Sequence, residues 1–123
     1  MGVEILPPDI NESRVTFSPT REGKVVRYGL AAIKGVGEAA VDAMLGTRDE
    51  GGPFKSLSDL CQRVDLRAVN RRVFESLISA GALDRLPDHR AQMLEGLDMT
   101  LKNAQNMQEQ HLRGQISLFD QEG

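Results

Sequence analysis

Two helical spacings meet at Gly35-Val36-Gly37, and the chain leaves no room there for a longer loop. Leu30, Ala31 and Ile33 follow the period of a short helical turn that ends at Gly35. Val36, Ala40 and Met44 continue at helical spacing, giving a second helix that stops near Gly46. Gly35 can take a positive φ, and the missing Cβ atoms at both glycines let a partner approach the backbone. Val36, between them, is expected to point back and lock the two helices together.

The remaining pattern predicts a mainly α fold. Residues 1–28 read as an extended entry, marked by Pro7-Pro8, and a short N-terminal β-hairpin. Its strands are Val15-Thr16-Phe17 and Val25-Val26-Arg27-Tyr28, and its turn lies in Ser18 to Gly23. Residues 29–90 read as a tandem helical-hairpin bundle, with Asp49-Glu50-Gly51-Gly52-Pro53 as a loop. Ser56, with Asp59 three residues on, predicts a helix start, and Leu57, Leu60, Cys61 and Val64 its buried face. Asn70 caps the next helix, which turns Val73, Leu77 and Ile78 inward and stops at Gly81. Residues 91–113 form a long C-terminal helix opened by Pro87-Asp88. Leu94, Leu97, Leu101 and Ala104 face inward, and the helix fades near Leu112-Arg113-Gly114. Residues 114–123 are expected to be a flexible tail.

Composition removes several classes of function. No apolar run reaches the ~18–20 residues of a membrane helix. The start Met1-Gly2-Val3-Glu4 has no basic secretory region. Cys61 is the one cysteine, so there is no disulfide framework or multi-cysteine zinc site, and a reducing cytoplasm is expected. His89 and His111 lie too far apart to read as a local metal pair. With 15 basic and 18 acidic residues, bulk charge cannot drive nucleic-acid binding. Five aromatics and no Trp make poor material for stacking on bases.

Gripping phosphate through backbone amides remains open. The first amides of the helix after Gly37 are unpaired and carry partial positive charge, which suits a phosphate oxygen. Lys34 adds a direct charge. The pattern over Lys34, Gly35, Val36 and Gly37 is that of a helix-hairpin-helix motif, which binds nucleic-acid backbone without reading sequence. The plainer alternative is a corner between helices whose glycines only make the turn. A degenerate second copy follows at Leu77 to Leu83, with Gly81 alone. Packing against the first unit suits it better than phosphate binding. Residues 54–90 hold seven basic and five acidic side chains, among which Arg67, Arg71 and Arg72 could track a backbone. They could equally form a solvated face.

The segment Gln115-Ile116-Ser117-Leu118-Phe119 sets two large apolar residues side by side in a polar, glycine-flanked end. Such a pair is costly in water unless a pocket receives it. Gln115 offers a polar anchor at a fixed distance, as in a short recognition peptide. The alternative is a tail folded back on its own domain.

The chain resembles a segment of the alpha subunit of bacterial DNA polymerase III, the C-family replicative polymerases. Leu6-Pro7-Pro8-Asp9-Ile10-Asn11, Tyr28 to Gly37, Gly52-Pro53-Phe54 and Ala80-Gly81-Ala82-Leu83-Asp84 carry the resemblance. It implies the tandem helix-hairpin-helix region that binds the template–primer duplex, within a longer polymerase and its holoenzyme. It also implies that Gln115, Ile116, Ser117, Leu118 and Phe119 form the sliding-clamp-binding peptide. The palm acids that hold magnesium in this family have no counterpart here. Asp9 and Glu12, the nearest to a paired set, are not assigned to metal. The expectation is a non-catalytic, cofactor-free processivity piece of a cytoplasmic polymerase. Two other readings stand beside it: a protein-interaction module whose hairpin is structural, and the same region of the family's error-prone paralogue.

Overall fold

The computed structural model describes residues 4–19 and 25–122, with side chains up to residue 112. Three short strands, β1 (Glu4–Leu6), β2 (Ser18–Pro19) and β3 (Val25–Arg27), form one sheet in the order β1-β3-β2. β2 pairs antiparallel with β3, so the expected hairpin exists, although its first strand lies one residue beyond Phe17. Val15 and Thr16 instead bend under Gly29. The amides of Leu30 and Ala31 donate to the carbonyls of Arg14 and Val15 at 2.9 and 3.0 Å. A Cβ on Gly29 would lie 2.4 Å from a Thr16 backbone atom, so this crossing demands glycine. The entry adds a parallel strand on the other side of β3, Glu4 opposite Val25.

A 3-10 turn at Leu30–Ala32 leads to the glycine corner and then to α1 (Glu38–Gly51). α1 passes Gly46 and takes in Asp49, Glu50 and Gly51, whose composition predicts a loop. One helical glycine costs only about 1 kcal/mol. The helix end is supported from afar. Arg63 donates to the carbonyls of Thr47 and Gly52 at 3.2 and 2.8 Å, and Arg48 donates to those of Ile10 and Ser13 at 2.9 and 2.7 Å. Gly52, at φ 85°, makes the stop.

α2 (Leu57–Arg63) and α3 (Arg71–Ser79) start where expected. Ser56 Oγ accepts from the Asp59 amide at 3.0 Å, and Asn70 Oδ1 from that of Val73 at 3.1 Å. α4 (Arg90–Glu122) follows. Its backbone stays helical past Gly114, where the sequence reading began the tail. Leu112, Ile116 and Phe119 fall four and three apart, a helical spacing that Gly114 does not break.

The core gathers Ile10, Leu30, Val36, Val41, Met44, Leu60, Cys61, Phe74, Leu77, Leu83 and Leu97, all at most 5% exposed. On α4, Leu97, Leu101 and Ala104 face the core as expected, while Leu94 is 38% exposed and Met93 is buried in its place. α4 lies across α2 and α3. Gln108 Nε2 donates to the carbonyls of Cys61, Gln62 and Val64 at 3.0–3.2 Å, closing the C-terminal end of α2. No helix among the described residues is long and apolar enough to cross a membrane.

Candidate nucleic-acid interface

The first corner is built from a turn and a helix start. The Val36 amide donates to the Ile33 carbonyl at 3.1 Å, placing Lys34 and Gly35 at the tip. Gly35 has φ 94°, the left-handed conformation expected of it. Val36 is buried, 5% exposed, and anchors the corner in the core as predicted. Gly37 is the N-cap of α1, extended at φ −81° and ψ 161°, with no side-chain cap. The first intrahelical bond runs from the Val41 amide to the Gly37 carbonyl at 3.1 Å, leaving the first-turn amides without a helical acceptor.

The two glycines differ in surroundings. A Cβ on Gly35 would sit 2.5 Å from Ser76 Oγ and 3.9 Å from Arg72 Nε, so this glycine faces α3. A Cβ on Gly37 would meet nothing within 4 Å. The space beside the Gly37 Cα is therefore open.

Beside the corner runs a groove of about 460 Å³, lined by Ile33 and Lys34 on one wall and by Arg72, Glu75, Ser76, Ser79 and Ala80 on the other. Among the described residues, Lys34 and Arg72 have no ion-pair partner. Arg71 differs from its neighbour. It pairs with Glu75 one turn along α3 and with Asp98 on α4. The hydrogen bond to Asp98, first, and the charges of both acids hold its guanidinium proton more tightly than usual. Arg67 is paired with Asp65 on its own turn, and the amide and side chain of Arg67 pull the Asp65 carboxyl below its ordinary range.

The second glycine turn is not a copy of the first. Gly81 has φ 85°, as expected, but α4 begins only at Arg90. Residues 82–88 lie in turns and bends, so no helix N-terminus follows Gly81. The space beside it is filled as well: a Cβ there would sit 3.0 Å from Asp84 Oδ2 and 3.1 Å from an Arg90 nitrogen, and these two side chains pair at 2.6 Å. The structure thus brings Lys34, Gly35, Val36, Gly37 and Arg72 together. It leaves Gly81 at a separate, filled turn and Arg71 in an ion-pair bridge. Ser76 and Ser79, which sequence reasoning missed, line the same groove as Lys34; their places one turn and nearly two turns after Arg72 were the available signal.

Asp9 is buried in a turn at the entry, where its Oδ1 accepts from the Asn11 amide at 2.8 Å and Arg85 approaches at 3.7 Å. No cluster of three or more His, Cys, Asp or Glu fit to hold a metal occurs among the described residues. The side chains of Gln115, Ile116, Ser117, Leu118 and Phe119 lie outside the described residues.

A family model for the helix-hairpin-helix motif matches residues 2–93. The DNA polymerase III subunit alpha of Haemophilus influenzae is 46% identical over 119 residues, which cover 97% of this chain and 10% of that protein. The protein of the same name from Vibrio cholerae is 47% identical over 119 residues, with the same coverage. That of Neisseria meningitidis serogroup A is 48% identical over 103 residues, covering 84% of this chain and 9% of the relative. The chain spans about a tenth of the length of these curated relatives.

Proposed function

Because the chain belongs to the helix-hairpin-helix family and is similar to a tenth of the length of DNA polymerase III alpha subunits, we propose that it is the duplex-gripping, non-catalytic part of such a polymerase. The observations that carry this reading are the open space beside Gly37, the N-cap ahead of first-turn amides with no helical acceptor, and Lys34 and Arg72, which have no ion-pair partners among the described residues. A phosphodiester oxygen accepts from the amides while the two cations neutralise its neighbours. Such contacts fix position on the duplex and read no sequence. With two to four phosphates touched, the logarithm of affinity falls with the logarithm of salt at a slope of about −2 to −4.

In this reading the polymerase chemistry belongs to other parts of the full protein, which acts in the cytoplasm, and this part uses no cofactor of its own. Gln115 to Phe119 dock on the sliding clamp, with Leu118 and Phe119 in an apolar pocket and Gln115 hydrogen-bonded beside it. Each contact is weak alone. Clamp and polymerase on the same DNA raise each other's effective concentration, and processivity follows.

Two measurements test this. Fluorescence anisotropy with a short labelled duplex compares the chain with Lys34→Glu. Loss of salt-sensitive binding is expected. Unchanged binding would refute the DNA role and leave a protein-interaction module. Calorimetry with a bacterial sliding clamp compares the chain with a Leu118→Ala, Phe119→Ala double variant. Binding that persists unchanged in the double variant removes the clamp assignment.

A further inference from the structure

Resting on that DNA-binding reading, we propose that the α3 wall of the groove is a second phosphodiester site formed by Arg72, Ser76 and Ser79, and that Arg71 serves it by holding Glu75 rather than by touching DNA. Arg48, Arg63, Arg67, Arg71, Arg85 and Arg90 all have a carboxylate partner. Arg72 does not, and it stands against the Gly35 turn. The hydroxyls of Ser76 and Ser79 line the same groove, and neither bonds back to its own helix as Thr47 does to the Ala43 carbonyl at 2.9 Å. One guanidinium and two free hydroxyls suit an anionic oxygen that needs donors from one side.

Glu75 also lines this groove, and its carboxylate would repel a phosphate. Arg71 answers that charge. It holds Glu75 from one turn away, and Asp98 on α4 fixes Arg71 in turn. Arg71 keeps N–H groups beyond those its two pairs use, but its charge is already shared by two carboxylates, so it offers a phosphate less attraction than Arg72 does. The two adjacent arginines thus have different duties: Arg72 is a binding residue and Arg71 a positioning residue.

The test is a double-mutant cycle with a salt series. Affinity for a labelled duplex is measured by anisotropy for the chain, Arg71→Gln, Glu75→Gln, the pair combined, Arg72→Gln, and Ser76→Ala with Ser79→Ala. Circular dichroism checks folding, and Arg71→Met, which also removes the charge beside Glu75 and keeps the length of the side chain, replaces Arg71→Gln if that variant unfolds. Arg71→Gln is expected to weaken binding by about 3–10-fold when Glu75 is present, and by less than about twofold when it is Gln. In the Glu75→Gln background, Arg71→Gln leaves the salt slope unchanged, whereas Arg72→Gln reduces it by about 1. A slope lowered by about 1 on removing Arg71 in that background assigns it to phosphate and overturns its positioning role. Unchanged affinity in both the Arg72 and the double serine variants overturns the site. If the unsubstituted chain shows no salt-dependent binding, the DNA reading itself falls, and this inference with it.

Discussion

Alanine at Gly35 and alanine at Gly37 should separate folding from DNA contact, two residues apart. At Gly35 the backbone stands at φ 94°. Holding an L side chain there costs on the order of 1–3 kcal/mol. The new Cβ would also lie 2.5 Å from Ser76 Oγ, but a hydroxyl can rotate away, so the backbone strain dominates. At Gly37, φ −81° and ψ 161° suit alanine and nothing lies within 4 Å of its Cβ. Two small opposed effects remain there. Glycine is the better N-cap, and alanine reduces unfolded-state entropy by about 0.4–1 kcal/mol. The net change in stability is expected to stay within about 0.5 kcal/mol. In the proposed binding mode, however, the methyl group stands in the phosphate's path to the α1 amides. Losing one hydrogen bond to a charged group, about 1.5 kcal/mol, weakens DNA binding roughly tenfold. Urea unfolding followed by circular dichroism reads the first quantity, and anisotropy with a short duplex at low salt reads the second. Gly35→Ala should lower the unfolding midpoint at unchanged slope. Gly37→Ala should keep the midpoint and lose DNA. A stable Gly35→Ala, or a Gly37→Ala that unfolds early while binding DNA normally, would refute this division.

Other variants probe the scaffold. Gly29→Ala meets Thr16 backbone at 2.4 Å, where no side chain can give way, and is expected to cost more than about 2 kcal/mol in the same urea assay. Gln108→Ala removes the donor shared by three carbonyls at the C-terminal end of α2 and should cost about 1–2 kcal/mol without changing DNA affinity at low salt. Burial pushes the Cys61 thiol up to about 12 from its ordinary 9.0, so the folded state holds this proton more tightly than the unfolded one. Its stabilisation is complete below pH 9 and is lost as pH rises toward 12, at a slope of at most about 1.4 kcal/mol per pH unit. Thermal melts across that window should fall less steeply for Cys61→Ala. The native thiol should resist a disulfide reagent at pH 8 until urea opens the fold.

Local chemistry made much of this fold legible. Ser56 and Asn70 cap through bonds spanning three residues, so the starts of α2 and α3 could be read from short windows. Gly35 and Gly81 announced their positive φ because each interrupts a helical spacing. Features set by distant partners were hidden. α1 outlasts Gly46 because Arg63 of α2 caps its end and its own Arg48 ties that end to the entry segment. β1 needed a parallel partner some twenty residues on, which no hairpin rule suggests. At the interface, Lys34 and the glycines were visible as a motif. Arg71 and Arg72 looked alike, because adjacency in sequence says nothing about which one Asp98 of α4 will reach. The groove depends on where α3 lies against the corner, which is a packing result.

The hydrogen bond from the Ile10 amide to the Ala82 carbonyl, 2.9 Å long, also carries a consequence for the order of folding. Asn11 exchanges two bonds with the Phe54 backbone, at 2.9 and 2.7 Å, across a separation of 43 residues. During synthesis the entry segment leaves the ribosome first, yet its partners at Phe54 and Ala82 come much later. Closing such long loops loses chain entropy before the contact returns any energy. The helices around α2 and α3 can form early, while Ile10 waits for a seat that only the second glycine turn completes. A slow final docking of the entry, visible as late burial of Ile10 in pulse-labelled hydrogen exchange, is the kinetic signature of this topology.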